Sequence, residues 1–249
     1  MNAAAYLDRI AYSGPTTPTP ETLRALHFAH MLTVPFENLD ISLHRIIACD
    51  ETAAVHKIVD LHRGGFCYEL NSAFAALLRG LGFQVTMLSA RVAREDGTSS
   101  PEFDHLTLRV DLEEPWLADV GFGDSFRHPL QLKLDLEQPQ DGRRYRLWSD
   151  NGSIHMERTE PDGNWKAQYS FTQTPRELKD FAAMCHYHQT SPASHFTQNK
   201  ICTRATPAGR ITLADRRLIT TENGKRTERE LGSEGEWHVA LKEHFGVVF

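Results

Sequence analysis

The chain has 249 residues, with 27 Lys and Arg against 33 Asp and Glu, for a formal net charge of −6. That acidic balance excludes a bulk electrostatic affinity for nucleic acid or an anionic membrane surface, and no run approaches the roughly 18 apolar residues of a membrane span. Four cysteines are too few for a disulfide scaffold, and a chain this long buries roughly 70–75% of its unfolded surface without one.

The first residues, Met1 to Leu7 followed by Asp8 and Arg9, lack the basic and long apolar segments of a secretory signal. A cytoplasmic location, where thiols stay reduced, is the expectation. No coiled-coil heptad or long exposed apolar run points to an oligomer.

Residues 1–82 read as helices. Thr19 is placed to cap a helix that has Pro20 in its first position and Leu23, Leu26 and His30 at helical spacing, ending before Pro35. A later pattern carries Val55, Ile58 and Val59. Another starts near Cys67 and carries Leu70, Phe74, Leu77, Leu78 and Leu81. Residues 83–173 read as strands. Asp96-Gly97, Asp141-Gly142, Asn151-Gly152 and Asp162-Gly163 are hairpin signals, so several antiparallel strands, in the form of a small barrel, are predicted. Residues 174–249 are mixed. Thr174-Pro175-Arg176-Glu177 predicts a helix from there to about His186, strands with an Asn223-Gly224 turn follow, and Ser233 to Glu236 opens a last helix that ends near Gly246. Helices, then strands, then a mixed segment give an α+β fold.

One cysteine stands where chemistry is favoured. In Arg63-Gly64-Gly65-Phe66-Cys67-Tyr68-Glu69-Leu70-Asn71, two glycines make a turn and a helix begins at the thiol. A helix N-terminus favours a thiolate through its dipole and unpaired N–H groups. Asp104 to Val110 alternates so that Leu106, Leu108 and Val110 share one strand face and His105, Thr107 and Arg109 the other. A turn centred near residue 112 sets His105 opposite Asp119, on the same face. A carboxylate there orients an imidazole toward a thiol, which is the logic of a nucleophile, base and orienting acid. The helix terminus and an imidazolium are both expected to lower the Cys67 pKa.

These segments together resemble the arylamine N-acetyltransferase family, in its bacterial type. Arg63–Asn71 matches the nucleophile motif, and His105, Asp119 and Val120-Gly121-Phe122-Gly123 follow in order. Val34 to Leu39, Tyr6, Arg9 and Tyr12, Ser191 to Phe196 and Phe245-Gly246 match further family segments. The resemblance implies a cysteine-protease-like core. An N-terminal helical bundle (1–82) would carry the cysteine, a central antiparallel β-barrel (83–173) the histidine and aspartate, and a C-terminal α/β lid (174–249) would complete it. It also implies acetyl transfer from acetyl-CoA, through an acetyl-cysteine, to the nitrogen of an arylamine or hydrazine, with no metal. Phe36, Phe122 and Phe196 are then candidates for the aromatic acceptor pocket. The CoA side is expected to run past Thr107, Gly123 and the loop 97–103, since glycine permits close backbone approach. Arg63 is read as a partner in a structural ion pair.

A hydrolytic or transamidating cysteine enzyme uses the same residue order and is the alternative. Against a papain-like version, the local Cys-Gly-Ser-Cys-Trp type of signature is absent and Leu61 stands where a glutamine is needed. A metal module is the second alternative. Cys185, His186, His188, His195 and Cys202 are metal-capable, but their spacing fits no common zinc pattern.

Overall fold

The computed structural model describes residues 1–249. Its N-terminal stretch holds α1 (Ala3–Arg9), α2 (Pro20–Thr33), the short β1 (Phe36–Glu37) and α3 (Leu39–Ser42), α4 (Glu51–Val59) and α5 (Cys67–Gly80). Thr19 caps α2 by accepting from the Thr22 N–H, with Pro20 in the first position, as the sequence predicts.

Eight strands follow: β2 (Gln84–Val92), β3 (His105–Asp111), β4 (Pro115–Ala118), β5 (Leu130–Gln131), β6 (Gln138–Gln140), β7 (Arg143–Asp150), β8 (Ser153–Thr159) and β9 (Trp165–Phe171). They pair antiparallel in the order β5-β4-β3-β2-β9-β8-β7-β6. The two end strands nearly close a barrel, and side-chain amides do the closing. Gln138 accepts from the Gln131 N–H at 2.8 Å and donates to its carbonyl at 3.0 Å; Gln140 does the same for His128 at 3.0 and 2.8 Å. These amides stand in for the backbone ladder that an open edge lacks. Asp141-Gly142 and Asn151-Gly152 have positive φ at both turn positions, as two-residue hairpins demand.

The last stretch holds a 3-10 turn (Leu178–Phe181), α6 (Ala182–Thr190), α7 (His195–Gln198), β10 (Ile201–Thr206), β11 (Gly209–Ala214), β12 (Arg217–Glu222), β13 (Lys225–Glu230) and α8 (Glu234–Phe245). β1 joins β10 to β13 in a five-stranded antiparallel sheet. Ser233 caps α8, and Gly246 ends it in the left-handed region. No helix is long and apolar enough to cross a membrane.

Two sequence expectations are corrected. The helix predicted from Thr174 begins later, because the Arg176 N–H donates to the Met87 carbonyl at 2.9 Å and so stays extended beside β2. The reciprocal cap is made instead by Glu177 and Asp180. The β3–β4 hairpin is centred on Glu113, not residue 112: Asp111 pairs with Pro115 and Leu108 with Ala118. Pro115 has no N–H and sits where a strand can begin. The displacement from the expected register is two residues. Side chains alternate with period two, so His105 and Asp119 still face one way.

Three apolar cores hold these parts. The largest surrounds α5, where Leu70, Phe74 and Leu77 pack on Leu106, Leu108 and Val110 of β3 and on Phe181 and Cys185. The second fills the barrel, and the third lies between β10–β11 and α8. The first core fixes the start of α5 against β3.

Candidate active site

Cys67 is the first residue of α5. The turn before it is set by close packing against β1. The Glu37 N–H donates to the Gly65 carbonyl at 2.9 Å, and a β-carbon on Gly64 would lie 1.9 Å from the Pro35 carbonyl oxygen. Only glycine fits there. Glu69 reaches back to accept from the Phe66 N–H at 3.1 Å, which closes the helix start. Beneath it lies a buried charge cluster. Lys57 meets Asp40 and Glu69 at 2.7 Å each, and Arg63 meets Glu37 at 2.7 Å and Asp40 at 3.1 Å. Arg63 is therefore the ion-pair residue expected of it.

Three residues converge. Cys67, His105 and Asp119 are all buried, with 4%, 3% and 1% of their surface exposed. His105 Nε2 lies 2.7 Å from Asp119 Oδ2, and Cys67 and His105 line the same cavity. With Nε2 engaged by the carboxylate, Nδ1 is the nitrogen left for the sulfur. The other Asp119 oxygen accepts from Asn71 Nδ2 at 2.9 Å and from the Gly121 N–H at 3.0 Å.

Charge follows from this packing. Burial alone would lower His105, but the charge and hydrogen bond of Asp119, then Cys67, carry it up to about 10. Burial would raise Asp119, and His105 with Asn71 and the Gly121 N–H hold it below its ordinary value instead. The thiol differs from expectation. Burial pushes Cys67 up, and His105 and the Leu106 backbone offset only part of the rise. The helix terminus and imidazolium do not outweigh the loss of water around a sulfur this enclosed.

The sulfur opens on a cavity of about 510 Å³. Phe36, Phe122 and Phe196 all line it, with Cys67, His105 and Gly121. Phe122 meets the His105 ring edge-on, with centroids 5.2 Å apart, and Phe36 and Phe196 lie 6.1 Å from each other. Each of the three is only partly covered, so each presents ring surface to the cavity.

A family model described as N-acetyltransferase matches residues 19–249. An arylamine N-acetyltransferase of Escherichia coli K12 is 35% identical over 246 residues, covering 97% of this chain and 87% of that protein. The chain belongs to the arylamine N-acetyltransferase family. Among solved structures, the arylamine N-acetyltransferase of Salmonella typhimurium superposes with a TM-score of 0.93 at 32% identity, covering 98% of this chain and 90% of that one. The Mycobacterium marinum arylamine N-acetyltransferase in complex with CoA gives 0.92 at 30% identity, covering 99% and 93%. The fold is thus that of an acetyltransferase of this family.

Several residues that shape this acetyltransferase site escaped the sequence reading. Asn71, one turn after Cys67, donates to the Leu106 carbonyl at 2.6 Å and to Asp119, and accepts from the Val120 N–H at 3.0 Å. Its i+4 spacing from the cysteine was the available signal. His27 is pushed down to about 4, chiefly by burial, and so is neutral. Its Nδ1 donates to the Arg127 carbonyl at 2.8 Å, and Nε2 accepts from the Asp119 N–H at 3.2 Å. Nothing local marks it. Thr107 corrects an expectation. It is fully buried, its hydroxyl donates to the Ala118 carbonyl at 3.3 Å, and it is absent from the cavity wall. Strand alternation put it on the His105 face, but that face is covered there by Tyr169, whose hydroxyl is 3.5 Å away. Gly123 lies just beyond the wall residue Phe122, with φ +89°, and only Phe36 and Thr203 approach its open side, at 3.9 Å.

Of the metal-capable residues, His188 turns to Asp104, Cys185 contacts the Ile47 carbonyl at 3.7 Å, and Cys202 is buried in the third core.

Proposed function

We propose that this chain moves an acetyl group from acetyl-CoA to the nitrogen of an arylamine or hydrazine, through an acetyl-cysteine at Cys67. The observation that carries the reading is that Cys67 and a His105 held by Asp119 open on one cavity, lined in part by three phenylalanines.

In this reading the Cys67 thiol gives its proton to the His105 imidazole, and the resulting thiolate attacks the thioester carbonyl carbon. The backbone N–H groups of Cys67 and Tyr68, at the start of α5, are the donors available to the oxyanion. The carbon–sulfur bond to CoA breaks, and the leaving thiolate takes a proton from the imidazolium of His105. The acceptor nitrogen then attacks the acetyl-cysteine, His105 takes up its proton, and the Cys67 thiolate leaves. Asp119 holds the imidazole's tautomer and supports its charge. A weakly basic arylamine is unprotonated at neutral pH and attacks directly, while Phe36, Phe122 and Phe196 stack on its ring and exclude water.

The donor's phosphates need cations, which a chain of net charge −6 must concentrate locally. A second cavity, of about 400 Å³, does so. Phe122 lines the first cavity, and Asp124, two residues on, lines the second together with Arg127, Arg143 and Arg210. Gly123 lies between them. We assign the phosphate end of CoA to this arginine-lined cavity. The division into a cysteine-bearing helical part, a barrel and a lid at 1–82, 83–173 and 174–249 remains our working description, and the cytoplasm our expected compartment.

Intact-protein mass spectrometry after mixing with acetyl-CoA tests the reading. A gain of about 42 Da on Cys67, discharged by an arylamine or hydrazine and slowly by water, is expected. No adduct, or an adduct that water clears as fast as amines do, favours the hydrolytic alternative.

A further inference from the structure

The cavity above Cys67 has two unlike walls. Phe36, Phe122 and Phe196 form one. The other is polar and contains Asp104, His188, Ser194 and Ser100. Asp104 Oδ1 lies 3.1 Å from His188 Nε2, and His188 Nδ1 lies 3.3 Å from Ser194 Oγ. The segment is pinned from behind, because Tyr68 donates its hydroxyl to the Phe103 and Asp104 carbonyls at 2.8 and 3.1 Å. The His188 ring is packed edge-on against Phe196, with centroids 5.1 Å apart, so the polar and aromatic walls meet there.

Neither Asp104 nor His188 is used by the transfer chemistry. Asp119 already orients His105, and Asp104 opposes thiolate formation at Cys67 through its charge. The pair is also incompletely satisfied. His188 is 7% exposed, and its Nε2, although close to the carboxylate, lacks the alignment of a hydrogen bond and has no other partner. Burial would raise Asp104, but His188, Ser100 and His105 hold it below its ordinary value, so it is ionised at neutral pH. A half-buried carboxylate and a buried imidazole with spare hydrogen-bonding capacity, lining a cavity beside an aromatic wall, make a site that discriminates by polarity.

We infer that Asp104 and His188 select the acceptor, favouring arylamines that carry a cationic or hydrogen-bond-donating substituent away from the reacting nitrogen and rejecting anionic ones. The inference rests on the acetyl-transfer reading for its substrate class. The aromatic wall holds the ring, the reacting nitrogen points at Cys67, and the far substituent meets the carboxylate. An acceptor carboxylate in that place would meet the like charge of Asp104. Arg94 is the rival influence. It also lines the cavity, but it stands at the turn closed by the Gly97 N–H to its carbonyl, at the solvent side. If Arg94 governs, anionic acceptors win.

The test uses three acceptors of one shape: 4-(aminomethyl)aniline, cationic at neutral pH; 4-aminobenzamide, neutral; and 4-aminobenzoate, anionic. The ratio of their kcat/KM values cancels any change in Cys67 acetylation or in the folded fraction. The wild-type chain is expected to favour the cation over the anion on the order of 10- to 100-fold, the range of a charge-assisted hydrogen bond. Asp104→Asn should bring that ratio to within about threefold, and His188→Gln should reduce it in part. A wild-type ratio near one, a preference for the benzoate, or a ratio unmoved in Asp104→Asn overturns the inference. Calorimetric binding of the same compounds to Cys67→Ser protein reads the order without any chemistry. Absence of acetyl transfer would sink the functional reading, while the binding order would still uphold or overturn the selection.

Discussion

One oxygen of Asp119 meets His105 and the other meets Asn71 and Gly121, so a single carboxylate both orients the imidazole and ties the end of β4 to α5. Asp119→Asn separates these roles. The amide keeps the shape but loses the charge that lifts His105 to about 10, and burial then lowers the imidazole. Acetylation of Cys67 by acetyl-CoA should slow on the order of 10³- to 10⁴-fold in single-turnover mass measurements, as when a buried triad carboxylate is neutralised. Stability should change with it. Because the folded value of His105 is raised, its contribution is fully present below about 6.5 and is lost as pH rises through about 10. Denaturant midpoints of the wild type should therefore fall across that window, and those of Asp119→Asn should fall less. Equal slopes in the two proteins would remove His105 as the source. At this scale the sequence was informative where chemistry follows from type and position, as at Cys67 on a helix start and His105 on a strand. It misled on Thr107 and on the thiol's own pKa, because both depend on what packs over them from distant segments.

Elements were legible where their ends are written locally. Thr19-Pro20, Ser233 with Gly246, and the Asp141-Gly142, Asn151-Gly152 and Asn223-Gly224 turns do in the structure what their side chains favour, while Asp96-Gly97 and Asp162-Gly163 sit in longer loops. The failures are long-range. Arg176 leaves a helix-start pattern to pair with Met87, and the β3–β4 register is displaced by two residues around Glu113. The site survives the second error because the displacement is even. What then sets the distance between α5 and the hairpin is Asn71, which bridges Leu106, Asp119 and Val120, and Gly121, where an added β-carbon would lie 2.7 Å from Asn71 Nδ2 and 2.8 Å from the Cys67 α-carbon. Asn71→Ala strips partners from two acceptors and one donor that are all buried. A loss of about 2–4 kcal/mol is expected by denaturant titration, with slower acetylation of Cys67 in the fraction that remains folded. A loss under about 0.5 kcal/mol, the range of ordinary surface changes, would show that Asn71 does not hold the two elements together.

At the scale of the whole molecule, the proposed donor is polyanionic and the chain that would hold it has an acidic surplus. Composition argues against a broad basic face; the structure gathers arginines into one cavity past Gly123. That gathering could not be read from sequence, because Arg127, Arg143 and Arg210 come from the loop before β5, from β7 and from β11, and meet only when the barrel and the C-terminal sheet are side by side. Asp124 accepts from Arg210 Nε at 3.2 Å and Arg143 Nη1 at 3.5 Å, while Arg127 is held by Asp141, so Arg143 has the loosest hold of the three and is the one best placed to meet a phosphate oxygen. Arg143 is the fair residue to remove, since about a third of its side chain is exposed and its contact with Asp124 is the longer. Arg143→Ala should raise KM for acetyl-CoA about tenfold, the weight of a charge-assisted contact. Its kinetics with acetylpantetheine, which has the same thioester and arm but no nucleotide, should stay within about twofold of the wild type. If both donors weaken alike, the arginines support the fold and not the cofactor. If neither weakens, the phosphates leave the cleft on the other side, past Arg94 and the loop 97–103.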